Sequence, residues 1–152
     1  MGTHLAQHGS FTIRRELDAP VALVFQAFAD KTHKARWFKA PPDCKDEIRE
    51  QDFRVGGTDR YKANWASGMV TEFTARYFDI VPDARIVYAY EMMLDGRKIS
   101  VSLATLTFEA SGKGTKLTVT EQGAFLDGYE DAGSREHGIG AQMDAVAETL
   151  NG

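Results

Sequence analysis

Glu121, Tyr88 and Tyr90 are the residues of this chain whose types and spacing could do chemistry, provided that the strands carrying them turn them to one common face. A carboxylate taken out of water has its charged form disfavoured unless a partner offsets the loss, and tyrosine hydroxyls can donate to it. Such a group has three uses: a structural hydrogen bond near a sheet edge, an anchor for the polar end of a ligand, or a general acid or base. Glu91 or Arg76 would join the group if the strand register shifted.

Covalent and metal chemistry find less support. A nucleophilic triad needs Ser or Cys, a His and a carboxylate that converge, and the internal histidines are His33 and His137. His33 is followed by Lys34 and Arg36, and His137 sits beside Glu136 at the start of the last helix, both settings of a solvated side chain. Cys44 follows Pro41-Pro42-Asp43 and reads as a loop thiol. The H-x-x-x-H pair, His4 and His8, lies in the polar leader, a segment expected to fray rather than chelate, and no C-x-x-C pair occurs, so no metal and no cofactor are expected. Gly112-Lys113-Gly114-Thr115 lacks the spacing of a phosphate loop and is explained by a hairpin.

A chain of 152 residues is the size of one domain with one core. Lysine and arginine number 18 against 22 acidic residues, a net charge of −4, and they are scattered. No basic stripe is present to neutralise phosphates, so nucleic acid is not an expected partner. The single cysteine forms no internal disulfide, which fits the cytoplasm. No apolar run approaches the roughly 18 residues of a membrane span, and Met1 to Ser10 lacks the apolar core of a secretory signal. Residues 1 to 10 are read as a disordered leader and 11 to 152 as a single domain.

The element that must position the site is the last one. Ile139, Met143, Val146 and Leu150 recur at helical spacing, which predicts a helix from Ser134 to Leu150 with Ser134 as its N-cap. Gly138 and Gly140 lie inside it, either to admit a close neighbour or, with flexible Met143, to leave room for a bound molecule. Earlier, Phe11, Ile13, Arg15 and Leu17 alternate as a strand, and Pro20 opens a short helix with Val21, Val24, Phe25 and Phe28 on one face. Asp30 opens a second helix ending near Phe38, before Pro41-Pro42. A polar strand from Asp46 to Arg54 leads to the bend at Gly56-Gly57, and turn signals then separate strands near 58 to 65, 69 to 80, 85 to 93, 98 to 109 and 115 to 122.

Hairpin registers decide which side chains face inward. A two-residue Gly112-Lys113 loop pairs Phe108 with Leu117, Leu106 with Val119 and Ala104 with Glu121, placing Glu121 on the apolar face. A three-residue loop, Asp95 to Arg97, pairs Tyr88 with Ala104 and Tyr90 with Ser102, whereas a two-residue loop would pair Tyr90 with Val101. The three-residue loop is preferred because it collects Ile86, Tyr88, Tyr90, Met92, Leu106 and Phe108 on one face. Small Ser100, Ser102 and Ala104 then face large tyrosines, which either interdigitate or leave a cavity.

Several motifs in order carry a resemblance: Trp37-Phe38 with Pro41, Arg54-Val55-Gly56-Gly57, Asp79-Ile80-Val81-Pro82 with Arg85-Ile86-Val87, Gly114-Thr115-Lys116-Leu117, and Gly138-Ile139 with Met143-Asp144 and Val146. Together they resemble the family named for the activator of Hsp90 ATPase, its C-terminal-domain-like branch, within the START/Bet v 1-like (SRPBCC) superfamily. The resemblance spans about Phe11 to Leu150 and implies an α+β helix-grip fold, a curved antiparallel sheet of six to seven strands around a long C-terminal helix, with two short helices after strand one. Ile139 and Met143 depart from the family's usual aromatic and leucine, which changes the pocket wall. The family includes ligand binders, proteins linked to stress responses and a co-chaperone domain, and fold alone does not choose among them.

The expected function is binding of a small hydrophobic or amphipathic molecule between the sheet and the last helix, without covalent catalysis. Its walls are expected from Tyr88, Tyr90, Ser102, Ala104, Leu106, Glu121, Ile139, Met143 and Val146, and its mouth from Trp37, Phe38, Tyr61 and Trp65. The rivals are a cyclase- or hydrolase-like enzyme using inward Glu121 and the tyrosines, and a chaperone-interacting module using the outer sheet face. A homodimer stays open, and a chaperone partner is the lesser expectation.

Overall fold

The computed structural model describes residues 4–151. Its elements run β1 (Ala6–Leu17), α1 (Val21–Ala29), α2 (Lys31–Trp37), β2 (Cys44–Gln51), β3 (Thr58–Trp65), β4 (Val70–Val81), β5 (Arg85–Leu94), β6 (Arg97–Ser111), β7 (Gly114–Leu126) and α3 (Ala132–Asn151). All seven strands form one antiparallel sheet in the order β1-β7-β6-β5-β4-β3-β2. Short turns make each pair from β2 to β7 a hairpin, and β1 closes the far side along β7. The architecture is the α+β helix-grip: an open curved sheet, two short helices after strand one, and the long helix α3.

β1 starts earlier than its apolar alternation suggests. Residues 6 to 10 pair with β7 from Ala6↔Leu126 to Ser10↔Gln122 instead of belonging to a disordered leader, whose residues 1–3 lie outside the described residues. Their side chains are mostly exposed, so hydrophobic patterning carries no signal there, and the backbone ladder alone extends the strand. Gly9 is needed in that ladder because a Cβ on it would lie 2.4 Å from Cβ of Ala132, where α3 begins.

The inward registers occur as the sequence predicts, one of them by a different device. At the β6–β7 turn, Ser111 pairs with Gly114, and Ala104 with Glu121. At the β5–β6 turn, Asp95 and Gly96 both take positive φ, 51° and 80°, which is the two-residue hairpin geometry, and Leu94 pairs with Arg97. The three-residue loop is therefore absent. A bulge restores the register: Met92 pairs with Ser100 and Met93 with Lys98, so Ile99 is the extra residue and Tyr90 still meets Ser102.

Phe11, Ile13, Ile86, Tyr90, Ala104, Leu106, Phe108, Leu117, Val119, Met143 and Val146 are all buried in one core, with Val24, Phe25 and Phe28 of α1. Leu103 and Val101 point to the opposite, solvent face. α3 begins two residues before Ser134, and Asp131 is its cap: its carboxylate accepts the Ser134 backbone N–H at 2.7 Å, which holds the Asp131 carboxyl below its usual range. The last carbonyls of α1 are satisfied by side chains from other elements. Trp37 Nε1 donates to Ala27 O at 2.7 Å, and Gln51 Nε2 to Phe28 O at 2.9 Å.

Candidate functional site

Between α2, α3 and strands β3 to β5 lies a cavity of about 320 Å³, near the lower end of ligand-pocket sizes. Trp37, Phe38, Tyr61, Phe73, Tyr88, Tyr90, Met92 and Ile139 form its walls, and Gly138 stands where a Cβ would meet nothing within 4 Å. A second chamber of about 40 Å³ lies deeper, lined by Tyr88, Leu106, Val119, Glu121, Met143, Asp59 and Tyr77 among others. Lys34, Trp37, Tyr88, Ile139 and Gln142 border both. The inner space suits one water or one polar group, not a ring.

The polar end of the site is a chain of buried hydrogen bonds. Arg135, only 6% exposed, donates through Nε and Nη2 to the two Glu130 oxygens at 2.7 and 3.0 Å, and through Nη2 to Ser100 Oγ at 2.8 Å. Its Nη1 donates to Tyr90 Oη at 2.9 Å and to Ser102 Oγ at 3.4 Å. All five guanidinium N–H groups are thereby engaged. Tyr90, accepting from Arg135, turns its own proton to Glu121 Oε1 at 2.5 Å. Glu121 Oε2 is buried with no hydrogen-bond partner among the described residues.

The energetics of this chain follow from its burial. Desolvation raises the Glu121 carboxyl above its usual range, against the Tyr90 hydrogen bond and the Arg135 charge, which lower it. Desolvation, then the Glu121 charge, pushes the Tyr90 hydroxyl far up, so it acts as a neutral donor. Across the inner chamber Lys34 pairs with Asp59, and Tyr77 Oη donates to Asp59 at 3.0 Å.

Tyr88, Tyr90, Leu106, Glu121, Ile139 and Met143 border one chamber or the other, and Trp37, Phe38 and Tyr61 stand at the outer one. Phe38 and Tyr61 are 4.9 Å apart, with the Arg49 guanidinium over both rings. Four expected residues stand elsewhere. Trp65 lies beyond the cavity at the end of β3 and bonds Thr71 Oγ1 at 3.0 Å; Ser102 is held by Arg135, while Ala104 and Val146 are packed at 0% exposure. Arg76 is exposed on the other face and Glu91 pairs with Lys98, so neither joins Glu121. His137 is exposed.

Arg135 is the residue that sequence reasoning missed. It stands four residues before Ile139, so it continues the inward stripe by one turn, a signal that a pattern of apolar types does not carry.

Two expected results arise from this geometry. Met143→Ala removes a side chain 4% exposed that already borders the inner chamber, so its cost should fall near the low end of the range for such truncations, about 2 kcal/mol in a urea melt. A change below about 0.5 kcal/mol would place Met143 outside the core. Glu121→Gln removes a titration whose folded pKa lies above the unfolded value of 4.5. The stability due to that shift is present in full below the unfolded pKa and is lost as pH rises through the folded one. Melts between about pH 4 and about pH 8 should therefore show the wild type losing stability relative to the variant as pH climbs, on top of any constant offset from the buried amide. A difference independent of pH would leave Glu121 an ordinary carboxylate.

Residues 18–151 match the family described as activator of Hsp90 ATPase homolog 1-like protein. A solved structure from Rhizobium leguminosarum is 42% identical, with 98% of each chain covered and a TM-score of 0.92. The Mll3558 protein of Rhizobium loti is 39% identical over 96% of this chain and 99% of its own, with a TM-score of 0.89. Protein CV1439 of Chromobacterium violaceum, 23% identical with a TM-score of 0.73 over 94% of this chain and 97% of its own, shares the fold. No protein with a curated description matches the chain. Among the described residues no helix is long and apolar enough to cross a membrane. From its match over nearly the full length and from these relatives, the chain belongs to the activator of Hsp90 ATPase homolog 1-like family.

Proposed function

We propose that this protein binds a small, largely apolar molecule in the cavity between the sheet and α3. The observation that carries the reading is the pairing of the roughly 320 Å³ aromatic-walled cavity with a deeper, smaller chamber bordered by Glu121, Asp59 and Lys34, which sorts an amphipathic molecule end for end. Hydrophobic burial supplies affinity at about 25 cal/mol per Å² before the costs of association, and a few polar groups fix orientation. Catalysis would require those groups to move a proton at a substrate atom, which binding does not.

Native mass spectrometry of protein purified from its own host tests the reading. The expected result is a co-purifying small molecule that disappears in Ile139→Trp, because Ile139 borders the outer cavity and an indole there would take up its space. Retention of the adduct by a folded Ile139→Trp protein would show that the molecule sits elsewhere.

A further inference from the structure

We propose that the ligand is an uncharged molecule with a flat apolar body and a terminal carbonyl, whose oxygen enters the inner chamber and accepts a hydrogen bond from a proton on Glu121 Oε2. The inference rests on the ligand-binding reading above and names the class of ligand.

The direction of the hydrogen bonds carries it. Arg135 can only donate, so Tyr90 accepts from it and has its single proton left for Glu121 Oε1. Oε1 is thereby the acceptor oxygen of Glu121. Oε2 has no donor within reach and is buried in a residue 2% exposed, where an unpaired anionic oxygen is costly and a protonated one becomes a donor lacking an acceptor. A ligand carbonyl supplies that acceptor, and the chamber of about 40 Å³ beside Glu121 is the size of one such group.

Charge argues against a carboxylate or phosphate in the same place. The cations bordering the two chambers are Lys34 and Arg135, and each already has its own carboxylate, Asp59 and Glu130. An anion would enter beside Glu121 and Asp59 with no free positive charge among the described residues to meet it. The groups facing Glu121 are Tyr88 and Tyr90 from β5, Arg135 from α3, Glu130 just before it, and across the chamber Lys34 of α2, Asp59 of β3 and Tyr77 of β4. Binding a carbonyl then favours the protonated carboxyl, so affinity falls as pH rises and a proton is taken up with the ligand wherever Glu121 is otherwise ionised.

Three probes with one body test this: 2-acetylnaphthalene, 2-ethylnaphthalene and 2-naphthoate, titrated calorimetrically across pH. The ketone should bind about tenfold tighter than the hydrocarbon at low pH, the preference shrinking as pH rises, with naphthoate weakest throughout. In Glu121→Gln the amide N–H replaces the acid proton, so the ketone preference should survive and lose its pH dependence; in Glu121→Leu it should vanish while the hydrocarbon still binds. Equal binding of ketone and hydrocarbon by the wild type, a preference that grows with pH, or naphthoate as the tightest probe would each overturn the carbonyl assignment and leave the cavity reading standing. Failure of all three to bind would overturn both.

Discussion

Arg135→Met is expected to destabilise the fold by about 3 to 5 kcal/mol, the range found when one partner of a buried ion pair is removed. The side chain joins α3 to β5 and β6 through Tyr90, Ser100 and Ser102, and to Glu130 through a two-pronged pair. Methionine fills much of the volume but leaves Ser100, at 0% exposure, and Tyr90 without that donor, each loss worth about 1 to 3 kcal/mol when the group cannot reach water. Glu130, 23% exposed, can turn toward solvent, so Arg135→Met combined with Glu130→Gln should recover part of the loss. The exposed Arg15 to Asp144 pair at 2.8 Å also ties α3 to the sheet, yet its side chains are 34% and 63% exposed and such pairs contribute about 0 to 1 kcal/mol. Urea melts of the two single variants and the double variant measure the coupling. A loss below about 1 kcal/mol for Arg135→Met would mean that apolar packing alone seats the helix.

The helix face from Ile139 to Leu150 was legible because burial imposes a period that apolar residue types report. Glu121 was legible for a related reason. A two-residue turn at Gly112-Lys113 propagates its register along β6 and β7, and the alternation forces position 121 onto the apolar face whatever residue occupies it. Tyr90 faces inward by a device other than the three-residue loop its spacing predicts, since the Asp95-Gly96 turn is tight and the extra residue is taken up by the bulge at Ile99. A bulge leaves no mark in hydrophobic pattern, only in the demand that both ends of the strand bury their apolar faces. Spacing puts Arg135 on the inward face of α3, but the partners that let a charge be buried there, Glu130, Tyr90, Ser100 and Ser102, leave no mark in hydrophobic pattern. The same holds for the pairing of Ala6 to Ser10, which rests on backbone hydrogen bonds that any sequence without proline can make.

Trp37→Ala should cost about 3 to 5 kcal/mol, the range for deleting a large buried ring. Trp37 is 8% exposed and stands where three jobs meet. It packs on Phe28 at 5.3 Å between centroids, it ends α1 by donating from Nε1 to Ala27 O at 2.7 Å, and it forms part of the wall between the outer and inner chambers. Trp37→Phe separates these jobs, because phenylalanine keeps an aromatic ring but has no N–H. Its cost should be smaller, about 1 to 3 kcal/mol, reflecting the carbonyl of Ala27 left without its partner together with the lost ring volume. Trp65 remains in both variants as a fluorescent reporter, and circular dichroism follows the backbone independently. Opening the wall should also join the two chambers, so that the alanine variant accepts a wider body at the inner end, with 2-acetylnaphthalene losing affinity relative to a bulkier ketone such as 2-acetylanthracene. Equal costs for the two variants, with no change in that preference, would show that Trp37 acts only through its hydrogen bond to α1 and does not shape the cavity.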